Sequence, residues 1–205
     1  MSDTPSPKTM WEQRYGAEAY IYGTDPNDFL REQIDALPDG PVLCLAEGEG
    51  RNAVFVASTG REVHSVDLTE SGVAKTLRLA EERGVRVAAV SADLATHDIG
   101  DQRWGAVVSI FAHMPPNVRR DLHARVVAAL RPGGVLLLEA YTPAQIGRGT
   151  GGPAVPEMTM SLELLRDELD GLEFLHALET ERVVAEGAGH TGVGAVVQVI
   201  ARKPG

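Results

Sequence analysis

The stretch Val42-Leu43-Cys44-Leu45-Ala46-Glu47-Gly48-Glu49-Gly50-Arg51-Asn52 decides how the rest of this sequence is read. A short apolar run gives way to two glycines one residue apart, and helix-compatible residues follow. Without Cβ atoms, Gly48 and Gly50 let the backbone turn tightly and let a flat ligand lie against it. A strand, a glycine loop and a helix in that order point to a nucleotide-type cofactor. Spacing leaves the ligand open, because Gly48-x-Gly50-x-x-Ala53 also meets the dinucleotide form, with Asp67 at a suitable distance downstream. Charge separates the readings. A pyrophosphate brings about two negative charges to the helix N-terminus, where Glu47 and Glu49 oppose it. The ammonium and sulfonium of S-adenosylmethionine are instead attracted. The loop favours that cofactor, with S-adenosylhomocysteine as product, over a nicotinamide.

Outward from the loop, apolar runs read as strands at 41–47, 62–68, 85–93, 104–112 and 134–142. Helical patterns over 50–59, 70–83 and 117–131 alternate with them, which implies a parallel sheet buried on both faces. Arg131-Pro132-Gly133-Gly134 marks a helix-to-strand turn. Asp25-Pro26-Asn27-Asp28 opens a helix to about Leu37, and Ser161 caps one ending near Asp170. Runs 173–186 and 193–201, joined by Gly187-Ala188-Gly189-His190-Thr191-Gly192, form a hairpin that makes the last strand antiparallel. The expected fold is α/β: one Rossmann-like doubly wound sheet of seven mostly parallel strands, a carboxyl-terminal antiparallel hairpin strand, and helices on both faces. A chain of 205 residues fits one such domain. Residues 1–9 read as disordered and 10–205 as the domain, with 10–38 as an amino-terminal lid.

The net charge of −10 and the absence of a basic cluster argue against nucleic acid as partner. The single cysteine, Cys44, excludes an internal disulfide and a multi-cysteine metal site. No run approaches the ~18 apolar residues of a membrane span, and the polar start has no signal-peptide core. A cytoplasmic protein, monomeric or homodimeric, acting on a small molecule without a metal, is the expectation.

In open α/β sheets, ligands bind beyond the carboxyl ends of the parallel strands. There Asp67 can accept both ribose hydroxyls, or it can cap the helix opening near Glu70. Asp93 is placed for the adenine amine or is an ordinary turn residue, and Leu94 packs on the ring. The fourth strand runs out through Ile110, Phe111, Ala112 and His113 into the crevice. If the sixth strand is parallel to the first five, the turn carrying His190 overhangs the same crevice. Groups around a methyl acceptor are His113, His190, Tyr141, Arg148, Arg14, Tyr15 and Tyr22, and a histidine has the right pKa for a base near neutrality. His113 and His190 equally suit structural roles, and Arg14 suits an ion pair.

Trp11-Glu-Gln-Arg-Tyr15 followed by Tyr22-Gly-Thr-Asp-Pro26-Asn27-Asp-Phe29-Leu30 resembles the amino-terminal signature of tellurite-resistance-type methyltransferases. These are relatives of thiopurine S-methyltransferase in the class I S-adenosylmethionine-dependent fold. The likeness continues through the loop with Asn52, Val66-Asp67-Leu68, Ser109 to Pro116, Arg131 to Gly134 and Glu139-Ala-Tyr141, covering essentially the whole chain. It implies cofactor contacts from Tyr22, Glu47, Gly48, Gly50, Asn52, Asp67, Leu68, Asp93, Leu94, Ile110 and Phe111. It also implies a lid closed by Tyr22 and Phe29, and an acceptor site around His113, His190, Tyr141 and Arg14. The implied reaction is methyl transfer to a soft nucleophile: a thiol, or a selenium or tellurium oxyanion. A nicotinamide oxidoreductase and a non-catalytic S-adenosylmethionine-binding protein are the competing readings. The family's usual acid at the strand end is replaced by Cys44, and Ala46 stands where a glycine is usual. Glu47 is therefore expected to take the cofactor's ammonium.

Overall fold

A computed structural model describes residues 5–205. Seven strands form one sheet in the order β3-β2-β1-β4-β5-β7-β6. They are β1 (Val42–Leu45), β2 (Val63–Asp67), β3 (Ala88–Ser91), β4 (Trp104–Ile110), β5 (Leu130–Tyr141), β6 (Glu173–Glu186) and β7 (His190–Arg202). β1 through β5 pair in parallel, whereas β7 runs antiparallel to both β5 and β6. β6 is consequently parallel to β5, so its carboxyl end and the 187–189 turn reach the crevice face, as the sequence predicts. The chain order reverses between β1 and β4, which fixes the ligand crevice beyond their carboxyl ends.

Among the described residues, six α-helices flank the sheet: α1 (Pro7–Tyr15), α2 (Asp28–Glu32), α3 (Arg51–Ser58), α4 (Glu70–Glu82), α5 (Pro116–Ala129) and α6 (Leu162–Glu168). β1 and β4 are buried along their whole lengths because helices cover both faces. One core, containing Leu136, Leu138, Leu122 and Leu165, lies under α5 and α6. The other, containing Leu137, Ile200, Phe29 and Val56, lies under α2, α3 and α4.

Several boundaries differ from the sequence reading. The amino-terminal segment is helical from Pro7, because the Ser6 hydroxyl accepts from the Thr9 N–H and Pro sits at the first position. Residues 1–4 of the expected disordered start lie outside the described residues. The helix expected over 25–37 is capped by Asn27, not Asp25, and breaks at Gln33 into the short 3-10 turn Ile34–Ala36. Phe29, Leu30 and Leu37 are buried, so this part of the expected lid is core. His190 begins β7 and is not a turn residue. Among the described residues, no helix is long and apolar enough to cross a membrane.

Candidate active site

The loop after β1 does not treat its two glycines alike. Gly48 (φ +65°) and Gly50 (φ +95°) both adopt left-handed backbone that favours glycine. A Cβ on Gly50 would lie 2.6 Å from Thr76 Cα, so this glycine lets α3 start against α4 and touches no ligand space. A Cβ on Gly48 would meet the Tyr15 phenol oxygen at 2.8 Å. Gly48 is therefore buried without a side chain, and Tyr15 from α1 lies directly on it. Ala46 carries a side chain at φ +47°, a strained setting for a non-glycine residue.

The loop glutamates do not both face outward, which corrects the charge argument. Glu49 is 3% exposed, and its Oε1 lies 2.6 Å from Lys75 Nζ. Its Oε2 accepts from the backbone N–H groups of Ile21 and Tyr22, so it pins the lid. Glu47 Oε1 accepts from the N–H groups of Asn52 and Ala53, capping α3. Burial pushes the Glu47 carboxyl up to about 7, against those hydrogen bonds and Arg51. Both of the hydrogen bonds that Glu47 accepts among the described residues fall on Oε1. Asn52 spends its Oδ1 on the Asn27 N–H.

Asp67 gives Oδ2 to the Gly48 N–H at 2.8 Å and Oδ1 to the Thr69 N–H and hydroxyl. It knits β2 to the glycine loop, and Oδ2, which accepts a single hydrogen bond, keeps a lone pair for a further donor. Beside it, Leu68, Ser91, Ala92 and Asp93 face the start of α1 across a crevice of about 350 Å³. Asp93 is exposed there, with Oδ1 accepting from the Ala95 N–H. Leu94 and Ile110 do not line this space; both turn into the core, at 6% and 7% exposure.

Beyond β4 the rings converge. Phe111 adopts φ +52°, which turns its ring onto Tyr141 (centroids 4.5 Å, stacked) and His190 (4.8 Å, edge-on). Tyr22 of the lid closes on His190 at 4.6 Å, and Arg14 donates to the Tyr22 hydroxyl at 3.1 Å. Gly151 and Gly152 roof the chamber, since a Cβ on either would strike His190 Cδ2 at 2.5 Å or Tyr141 Cδ2 at 2.7 Å. The Tyr141 hydroxyl and His190 Nδ1 are buried with no protein partner among the described residues. Such atoms are costly unless a ligand or water completes them.

His113 is different. Its Nδ1 donates to the Met158 carbonyl at 2.8 Å, and its Nε2 accepts from the Tyr141 N–H at 3.3 Å. Burial lowers its pKa to about 4, so it is neutral and both nitrogens serve the backbone. It positions the chamber wall and is not a free base. Arg148 bonds Glu181 and the Ala144 carbonyl, away from the chamber. Phe29 packs on His176 at 5.4 Å in the core and does not close the site.

A buried network behind the chamber escapes the sequence reading. Asn27 Nδ2 donates to Glu139 Oε2 and Glu186 Oε1, Arg51 to Glu186 Oε2, and Arg182 to both carboxylates. Gln198 completes Glu139. Burial opposes the Glu186 charge, but His190, Arg51, Arg182 and Asn27 hold its carboxyl down to about 2. The available signal was Glu139, one acid inside the apolar run Val135 to Tyr141.

Residues 42–134 match the family model described as a methyltransferase domain. Phosphoethanolamine N-methyltransferase 2 of Caenorhabditis elegans is 31% identical over 134 residues, covering 63% of this chain and 29% of that protein. The chain spans 29% to 39% of the lengths of the curated relatives it matches. TehB of Haemophilus influenzae superposes with a TM-score of 0.71 at 18% identity, covering 96% of this chain and 66% of the other. A structure solved for the conversion of a disulfide bond into a thioacetal group during echinomycin biosynthesis gives 0.76 at 20% identity, covering 96% and 91%. The chain has the Rossmann-like methyltransferase fold.

Proposed function

We propose that this protein transfers the methyl group of S-adenosylmethionine to a small soft nucleophile, a thiol or a selenium or tellurium oxyanion. The observation that carries the reading is the glycine loop at Gly48, covered by Tyr15, inside the 42–134 methyltransferase match, together with the Leu68–Asp93 crevice that the next two strands line. Leu68 and Asp93 would hold the adenine, Asp67 the ribose, and Glu47 Oε2 the ammonium. When bound, the cofactor supplies an electrophilic methyl group, and transfer is an in-line displacement in which positive charge disappears. Residues 16–27 and Tyr15 exclude water, and the chamber rings align the acceptor.

The likeness to TehB, and to the protein of the thioacetal conversion, supports the soft-nucleophile class and the tellurite-resistance-type branch. We further propose a cytoplasmic monomer or homodimer with no nucleic-acid partner. Calorimetric titration tests the reading: S-adenosylhomocysteine is expected to bind with one site per chain and NAD to give no heat. Methyl transfer from labelled S-adenosylmethionine to a panel of thiols, selenite and tellurite then separates an enzyme from a binding protein. Binding of NAD without S-adenosylhomocysteine would replace this reading with the oxidoreductase one.

A further inference from the structure

The buried charges behind the chamber are matched. Arg51 and Arg182 are committed to Glu186 and Glu139, and Lys75 is committed to Glu49. Arg14, the nearest lid cation, lies over Trp11 and bonds Tyr22 at the surface. An oxyanion carrying one or two negative charges needs unpaired cations or converging N–H groups when it leaves water. The chamber offers rings, among them the phenols of Tyr22 and Tyr141 and the imidazoles of His113 and His190, with two carboxylates behind them. Such walls favour a neutral sulfur nucleophile, which makes favourable contacts with aromatic edges.

A neutral thiol must lose its proton on the way to product, and the chamber holds one group placed to take it. His190 Nδ1 lies 3.6 Å from Glu186 Oε2, just beyond hydrogen-bond range. That carboxylate is fixed from three sides by Arg51, Arg182 and Asn27. It therefore assigns the Nδ1–H tautomer to His190. Nε2 then carries the lone pair, on a ring that packs against Phe111, Tyr141 and Tyr22. His113, the other histidine of the chamber, has no nitrogen to spare.

Resting on the methyltransferase reading above, we infer that the acceptor is a neutral thiol with an apolar body, deprotonated by His190, with Glu186 as the residue that positions the imidazole. The S–H proton passes to Nε2, and the sulfur lone pair forms the new S–CH3 bond. The donor's C–S bond breaks with its electron pair remaining on the donor sulfur. The donor's positive charge is thus exchanged for an imidazolium beside Glu186, which then releases its proton to water. Atoms and charge balance with a thioether, S-adenosylhomocysteine and one proton as products.

The test compares phenylmethanethiol, protonated at neutral pH, with 4-nitrothiophenol, which is already ionised there. Its main readout is a ratio of kcat/KM values, which is independent of how much of a variant is folded. His190→Gln is expected to lose about 100-fold or more on phenylmethanethiol and less than about 5-fold on 4-nitrothiophenol, the loss typical of removing a general base. Glu186→Gln is expected to shift the same ratio in the same direction by a smaller factor. Calorimetric affinity for S-adenosylhomocysteine is expected to be unchanged in His190→Gln. Selenite, titrated in the presence of S-adenosylhomocysteine, is expected to give no saturable heat. Equal losses on both thiols would overturn the base assignment. Selenite methylation by the wild type at the efficiency of the thiol would overturn the acceptor class, leaving methyl transfer itself standing. A wild type that does not bind S-adenosylhomocysteine would overturn both.

Discussion

Two histidines in this molecule sit beside a buried glutamate, and they are put to opposite uses. Between α5 and α6, His123 Nδ1 lies 2.7 Å from Glu168 Oε2, and Arg119 forks onto the same carboxylate. Arg119 also donates to the Glu157 and Thr159 carbonyls, tying down the chain that follows β5. Burial disfavours the Glu168 charge, but His123 and Arg119 still hold its pKa below the usual carboxylate range. In the chamber, His190 stands 3.6 Å from Glu186 with its Nδ1 unpartnered. A saturated cluster is scaffold. One left a bond short keeps an imidazole that the scaffold does not consume.

That contrast breaks most readily at Glu168. Glu168→Ala strands Arg119 and His123 in the core and is expected to cost about 3–5 kcal/mol of stability in urea unfolding. The folded fraction should keep its S-adenosylhomocysteine affinity, because nothing in the crevice moves. Asn27→Ala removes a donor to Glu139 and Glu186 together with the α2 cap, with an expected cost of about 2–3 kcal/mol. Unlike the first variant, it should also speed hydrogen exchange at Ile21 and Tyr22 and weaken cofactor binding.

The two regions around the crevice respond oppositely to pH. Glu186 has a folded pKa of about 2 against an ordinary 4.5. Its network contributes stability above pH 4.5 that is lost as pH falls through about 2. Glu47 has the reverse sign: its folded pKa of about 7 favours the neutral form, so stability present below pH 4.5 declines as pH rises to 7. Glu47→Gln is expected to gain about 1–3 kcal/mol in thermal unfolding at pH 8 and nothing at pH 4. The same variant should weaken cofactor binding, a stability gain bought with function. The smallest effect belongs to Ala46→Gly, expected to raise stability by about 1 kcal/mol by relieving φ +47°, with no change in binding.

The backbone of this account was legible because it depends on local pattern. Apolar strands alternating with helices, the Gly48-x-Gly50 turn and the glycine-rich hairpin each leave a signal at fixed spacing. The chamber residues Phe111, Tyr141 and His190 were also legible, since all lie at carboxyl ends of strands or the adjoining hairpin. Side-chain commitments were not. Glu49 looks like a ligand group in sequence, but Lys75, 26 residues away, claims it. Asn27 meets Glu186 across 159 residues, and no local periodicity encodes that pairing. Leu94 and Ile110 sit beside the crevice in sequence, and one strand-end twist turns them into the core. His113 and His190 look equivalent until the Met158 carbonyl and Tyr141 N–H are found on the first.

The central claim, that the glycine loop at Gly48 and the neighbouring Leu68–Asp93 crevice hold the methyl donor, is tested most directly by titrating S-adenosylhomocysteine into wild type and Gly48→Ala in the calorimeter. The wild type should bind with one site per chain, with the fluorescence of Trp11, stacked on Tyr15 at 5.3 Å, changing in step. Gly48→Ala, checked as folded by circular dichroism, should bind at least about 10-fold more weakly. Equal binding by the two proteins, or none by the wild type, would contradict the claim.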